Sequence, residues 1–185
     1  MARSTRNEDF DLDSLFETIR QDDAFATFRN IVKTARTHLK IDQYRTEALG
    51  LMSSRLSRDI HGKKQFSPKI MLEAAACDMS ARARLVEIRV RCKVYLDNLE
   101  DACKALKNHV LTTYMDDMKA FSNAESRNAL VERVQKSART LTTEGAALID
   151  MLDQIVTDID KASYHMSNMA SMIVMLDGSK GSKVI

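Results

Sequence analysis

The sequence predicts an all-α fold in which a long, coiled-coil-like antiparallel helical hairpin follows a smaller N-terminal helical unit. The 185 residues include only one proline and five glycines, far below the usual share for this length. Tryptophan is absent and aromatic residues make up 5% of the chain, which leaves few of the residues that β-sheets favour. From residue 68 onward, apolar residues recur at helical spacing.

The boundaries of the hairpin follow from local end signals. Ser67 and Pro68 predict a helix start, because this proline lacks only a donor that the first helical turn leaves unused. We expect helices over about 68–120 and about 123–177, with a reversal near Ser122, which has capping-box spacing to Glu125. The hairpin unit is therefore predicted over residues 67–177, with a flexible tail over 178–185.

The second hairpin helix carries an apolar seam with alternating steps of three and four residues. A seven-residue repeat of this kind predicts a left-handed supercoil. The residues assigned to this predicted oligomer seam are Leu141, Leu148, Leu152, Ile155, Ile159, Met166, Met169 and Ile173. The seam partner could be the first hairpin helix, which has its own stripe from Leu85 to Phe121, or another subunit. Further apolar residues outside the seam indicate that more helices pack against the hairpin, either from the N-terminal part or from other subunits, and we expect a homo-oligomer.

The part before residue 67 is predicted to form short helices. Residues 1–12 are expected to be a flexible N-terminus, and residues 13–66 a short-helix basic unit. Helices are predicted to start at Asp13, at the Asp22-Asp23 cap, and at about Asp42, the last one running to about Ile60.

Basic residues are concentrated in the middle of the chain. The net charge of +2 combines −4 over residues 1–28, +9 over residues 29–93 and −3 over residues 94–185. A polyanion would therefore contact the middle region.

The stretch from Leu49 to Ile60 resembles the turn and recognition helix of helix-turn-helix repressors. The matching residues are Leu49, Gly50, Leu56, Ser57, Arg58, Asp59 and Ile60. The resemblance implies that Gly50 forms a sharp turn and that a DNA groove is contacted from the following helix. The alternative is one continuous amphipathic helix through Gly50, with an inward face formed by Tyr44, Ala48, Leu51, Leu56 and Ile60.

A second basic segment, RARLVEIRVRCK at residues 82–93, places Arg82, Arg89 and Lys93 on one helix face. These side chains could contact phosphates, or could pair with acids such as Asp150 and Asp153 on the other hairpin helix. Pairing is favoured, because the two helices have opposite charge. The predicted nucleic-acid contacts are Ser54, Arg55, Arg58, Lys63, Lys64, Arg82, Arg89 and Lys93. Scarce aromatic residues favour a duplex over stacked single strands.

The sequence predicts a non-enzyme without metal or cofactor. No glutamate has a histidine three residues further on, as helical di-metal sites need. Cys77, Cys92 and Cys103 lack metal-ligand spacing, and no glycine-rich phosphate loop follows a strand. No apolar run reaches membrane-span length, so no membrane association is expected.

A basic helical unit, an oligomerising hairpin and a tail together resemble bacteriophage helical accessory proteins, and in particular the small terminase subunit. The resemblance implies a self-associating scaffold that recognises viral DNA for packaging, located in the host-cell cytoplasm or the virion. The alternatives are a phage recombination mediator and a virion structural or assembly protein that binds viral assembly proteins.

Overall fold

The computed structural model describes residues 12–55, 68–118 and 124–180. Every element in these ranges is helical, which confirms the predicted all-α class with its long helical hairpin. The six helices are α1 (Leu12–Gln21), α2 (Asp23–Leu39), α3 (Ile41–Ser53), α4 (Pro68–Thr113), α5 (Met115–Met118) and α6 (Ala124–Lys180). None of the described helices combines the length and apolar character needed to cross a membrane.

The chain divides into two compact units. Unit 1 consists of Met1–Lys40 and Cys92–Ala146, and unit 2 of Ile41–Arg91 and Ala147–Ile185. The helices of the predicted 13–66 unit are therefore shared between the two units, with α1 and α2 in unit 1 and α3 in unit 2.

In unit 1, α1 and α2 pack with the second part of α4 and the first part of α6. Asp22 caps α2 by accepting a hydrogen bond from the Ala24 amide at 2.8 Å, as the sequence predicts. Lys40 ends α2 in the left-handed conformation, with a φ of 38°. The larger buried side chains are Leu15, Ile19, Phe28, Val32, Leu39, Leu96, Leu99, Leu106, Val110, Leu130, Val134 and Leu141.

In unit 2, α3 packs with the first part of α4 and the last part of α6. Two ion pairs between these long helices, Arg82–Asp160 and Arg89–Asp153, lie seven residues apart in opposite chain directions. The helices are therefore antiparallel and keep a heptad register here. The larger buried side chains are Tyr44, Leu85, Ile88, Leu148, Leu152, Ile155, Ile159 and Met166.

The predicted seam is the core of the single chain. Leu141, Leu148, Leu152, Ile155, Ile159 and Met166 are all buried without any second subunit. Met169 is half-buried, and the side chain of Ile173 lies outside the described residues. Because the chain's own helices cover these six side chains, they are not a surface for a second subunit, and the seam is intrachain.

Gly145 of α6 faces the buried side chain of Leu96. A Cβ atom on Gly145 would lie 2.6 Å from the Leu96 Cδ2 atom, so a larger residue at this position would require the Leu96 side chain to shift.

Several predicted boundaries shift. The first hairpin helix ends at Thr113 instead of about 120, followed by a turn at Tyr114 and the short helix α5. Helix α6 continues through Gly178 to Lys180, so residues 178–180 are helical where a tail was predicted. The predicted N-terminal segment 1–12, apart from its last residue, the reversal near Ser122 and residues 181–185 lie outside the described residues.

Candidate nucleic-acid interface

The structure has no turn at Gly50, where the predicted helix-turn-helix requires one. Helix α3 runs without interruption from Ile41 to Ser53, through Gly50, and none of the described glycines has a positive φ. The continuous-helix alternative agrees with the structure through Gly50, with Tyr44 and Ala48 buried and Leu51 half-buried. The helix ends at Ser53, however, where it was predicted to run to about Ile60, and Leu56 and Ile60 lie outside the described residues. The implied turn at Gly50 was wrong, because local helix propensity and the packing of this inward face outweigh one glycine.

Arg55, predicted to face a DNA groove, instead pairs with a buried carboxylate of unit 2. Its Nε donates to Asp78 Oδ1 at 3.0 Å and its Nη2 to Oδ2 at 3.3 Å. The Asp78 side chain is only 2% exposed. A guanidinium that compensates a buried charge in this bidentate way is part of the core and is not free to bind a phosphate.

The other residues of this predicted interface fall into two groups. The Ser54 hydroxyl donates to the Leu51 carbonyl at 3.0 Å, which satisfies a carbonyl at the end of α3. Arg58, Lys63 and Lys64 lie outside the described residues.

The arginines of α4 are paired with acids, as the sequence favoured. Arg89 lies 2.5 Å from Asp153, the predicted partner, while Arg82 donates to Asp160 at 2.6 Å. Within the described ranges, no ion pair includes Asp150. Among the described residues, Lys93 is exposed and has no carboxylate partner.

The two remaining arginines of this segment, Arg84 and Arg91, are paired as well. The Arg84 Nε donates to Glu47 at 2.5 Å and its Nη1 donates to Glu87 at 2.7 Å. Glu47, and secondarily Glu87, raise the pKa of the Arg84 guanidinium, while Arg84 lowers the pKa of Glu87. Arg91 donates to Glu87 at 3.0 Å and contacts the Tyr44 hydroxyl at 3.4 Å. The basic segment 82–91 is therefore largely neutralised by its own fold.

Helix α2 and its C-cap carry cations that, within the described structure, are not paired with acids. Arg29, Lys33, Arg36 and Lys40, here called the α2 basic stripe, follow one another at steps of four, three and four residues. At about 3.6 residues per turn, Arg29, Lys33 and Arg36 lie within an arc of about 60°, and Lys40 follows directly as the C-cap residue of the helix. All four are exposed, and within the described residues none has an ion-pair partner. No acidic residue occurs from Ala24 to Lys40.

Contacts on one side and at both ends of α2 hold the stripe in a fixed orientation. Phe28, Val32, Ala35 and Leu39 are buried on a face about a quarter turn away from the stripe. Near the C-terminal end of α2, the His38 ring stacks on the Tyr95 ring, with ring centroids 4.9 Å apart. The stripe therefore faces solvent from a well-anchored helix.

The first turn of α2 is tied to the end of α4. Asp22 Oδ2 lies 2.7 Å from His109 Nε2 and accepts a hydrogen bond from the Tyr114 hydroxyl at 2.9 Å. The His109 contact, followed by the Ala24 amide, lowers the pKa of Asp22. Desolvation, and secondarily the Asp22 hydrogen bond, raises the pKa of Tyr114 to about 12. Asp22 is thus held as a carboxylate that accepts the hydrogen bond, and Tyr114 as the neutral hydroxyl that donates it.

Sequence reasoning did not single out the α2 basic stripe. It summed charge over residues 29–93 and chose segment 82–93 for its density of arginines. The available signal was the spacing of four cations along one helix together with the absence of acids, which ensures that the helix cannot neutralise itself.

The open surfaces of unit 1 hold no arrangement of metal ligands. A groove of about 650 Å³ runs between α2 and α4, lined mainly by small neutral side chains such as Thr27, Thr34, Ala102 and Ala105. No group of three histidine, cysteine or acidic residues within the described ranges could hold a metal ion.

Comparisons with known proteins do not assign the chain to a family. No family model, no curated protein and no solved structure matches it. Fold and site together describe an all-α protein that displays an unneutralised basic helix.

Proposed function

We propose that the protein is a non-catalytic helical adaptor that binds the phosphate backbone of nucleic acid through the α2 basic stripe. The observation that supports this proposal is the contrast in pairing between two sets of cations. Segment 82–91 and Arg55 have acidic partners, whereas the four stripe cations are exposed and without ionic partners in the described structure. Free cations are the ones that release counterions from a polyanion.

The geometry of the stripe favours a linear polyanion. Its eleven-residue span is about 16 Å at about 1.5 Å per residue. A duplex presents about ten phosphate charges over that length, given about one per 1.7 Å of axis. An α-helix fits the major groove of a DNA duplex, and exposed aromatic rings for stacking on single strands are absent from the stripe.

The test is fluorescence anisotropy with a labelled duplex, at several salt concentrations. If all four cations contact phosphates, the log–log slope of affinity against salt should be about −3.6. Replacing Lys33 and Arg36 with glutamate should abolish binding. Because Lys107 and Lys161 are exposed cations elsewhere, Lys107→Glu with Lys161→Glu is the control with the same charge change. Equal weakening by both double variants, or undiminished binding by the stripe variant, would refute the site.

The likeness to a small terminase subunit, the viral origin and the location in host cytoplasm or virion remain proposals, as does the absence of catalysis. They are supported by the arrangement of a basic helical part beside a long hairpin. The same titration with single-stranded DNA distinguishes a packaging accessory from a recombination mediator. A preference for duplex supports the packaging accessory, and a preference for single strands supports the recombination mediator.

The second candidate is a viral structural or assembly protein whose basic face binds an acidic protein. It is supported by the same stripe, because exposed cations also suit acidic protein surfaces. In this case the stripe variant would lose a co-purifying protein, and nuclease treatment of the wild-type complex would leave that protein bound.

A further inference from the structure

The last part of α6 has no charged side chain over fifteen positions. Between Lys161 and Asp177, ten of the fifteen residues are hydrophobic, among them four methionines at every third position. Steps of three residues wind around an α-helix, so apolar side chains occur on all its sides. Met166 is buried in unit 2, but Met172, Val174 and Met175 are 59%, 72% and 73% exposed.

The beginning of α4 extends this apolar surface. The register of the Arg82–Asp160 and Arg89–Asp153 pairs, continued along both helices, places position 70 beside position 172. Ile70 and Leu72 are both exposed. We call the set of Ile70, Leu72, Met172, Val174 and Met175 the Met172 patch.

We propose that the Met172 patch binds the same patch of a second copy of this chain. A helix that is apolar on all sides is normally buried, so several exposed large apolar residues in one region indicate a missing partner. The proposal concerns unit 2 and does not depend on the nucleic-acid site in unit 1.

The charge pattern of this part of α6 favours a second copy as the partner. In a two-fold interface the same surface lies on both sides, so any charged side chain near the axis meets its own kind. A stretch from residue 162 to residue 176 without charge avoids that repulsion. A strongly acidic or basic partner would instead find no complementary charge on this part of α6.

A lipid surface fits the patch less well. Helices that lie in a membrane interface carry lysine and arginine on their polar face, and α6 has neither between Lys161 and Lys180. The polar positions in this region are serine, asparagine and histidine.

The test is the mass of the full-length chain by sedimentation equilibrium over a range of concentrations. We expect a reversible dimer, and we expect Met172→Glu with Met175→Glu to weaken the dimer at least tenfold, because uncompensated charges would be buried. Ser137→Glu with Ala146→Glu is the matched control, since both positions are exposed on the part of α6 in unit 1. That control should dimerise like the wild type.

A second measurement does not rely on variants. Hydrogen exchange followed by mass spectrometry should show that amides of residues 166–176 exchange more slowly at high protein concentration than at low concentration. A wild-type chain that is monomeric throughout, a double variant of unchanged mass, or binding of the patch to neutral phosphatidylcholine vesicles in place of self-association would overturn the proposal. Loss of DNA binding with the dimer intact would count only against the proposed function.

Discussion

The α2 basic stripe and the arginines of α4 are chemically alike but have different roles in the folded chain. Arg82, Arg84 and Arg89 each have a carboxylate within 2.6 Å, so their charge is largely cancelled where it stands. The stripe cations belong to a segment that has no acidic residue after Asp23, and they have no such partners among the described residues. The comparison teaches that the density of basic residues is a poor guide to a polyanion site until the acidic partners are known.

The largest effect should follow from breaking the most buried pair. Arg55→Ala removes the guanidinium that donates two hydrogen bonds to the buried Asp78 carboxylate, which should cost about 3 kcal/mol of unfolding free energy. Urea denaturation measures this loss. Arg45→Ala is the control on the same helix, because its pair with Asp42 is solvent-exposed and should contribute less than about 1 kcal/mol. Similar losses in both variants would contradict a structural role for Arg55.

The next effect concerns the first turn of α2, which is anchored to the end of α4, whereas the α2 basic stripe further along the helix is exposed to solvent. Asp22→Ala removes the helix cap and the contacts with His109 and Tyr114. Loss of such a cap costs about 1 to 2 kcal/mol, which thermal unfolding will detect.

This loss should also depend on pH. Because the pKa of Asp22 is lowered from its ordinary 3.8, its contribution is fully present above that value and fades as the pH falls through the folded-state pKa. The wild type and Asp22→Ala should therefore converge in stability under acid. A difference that stays constant down to the lowest pH would contradict the assignment.

A smaller pair of effects compares the two sets of cations directly. Arg82→Gln with Arg89→Gln should lower stability by about 1 kcal/mol in total, because each broken pair is partly exposed, and should leave duplex affinity nearly unchanged. Lys33→Gln with Arg36→Gln should do the reverse. Anisotropy and denaturation of the two double variants and their four single variants measure both quantities. If the α4 variant lost more affinity than the α2 variant, the comparison would be wrong.

The smallest effect distinguishes a helical Gly50 from a turn. No atom lies within 4 Å of a Cβ placed there, so Gly50→Ala should stabilise the chain by about 0.5 to 1 kcal/mol. A glycine required for a helix-turn-helix turn would instead lose stability on this change. Gly145→Ala is the contrasting case, because its Cβ would crowd Leu96, and it should bring no gain.

Much of the fold could be predicted from the sequence because its signals are local. The helix start at Pro68, the cap at Asp22 and the spacing of the seam from Leu141 to Met166 depend on neighbours within one or two turns, and each is found in the structure. Boundaries near Tyr114 and Gly178 shifted, because packing extends or interrupts a helix beyond what its end signals indicate.

The sequence by itself determined an all-helical chain with an apolar seam and a basic middle region. Only the tertiary structure decided which cations in that region are free, because their partners are distant along the chain: Arg55 and Asp78 are separated by 23 positions, and Arg82 and Asp160 by 78. The tertiary structure also assigned the seam to one chain, since heptad spacing alone is the same within and between subunits. Charge neutralisation and burial act through space, and for that reason sequence spacing could not distinguish a structural arginine from one available to a ligand.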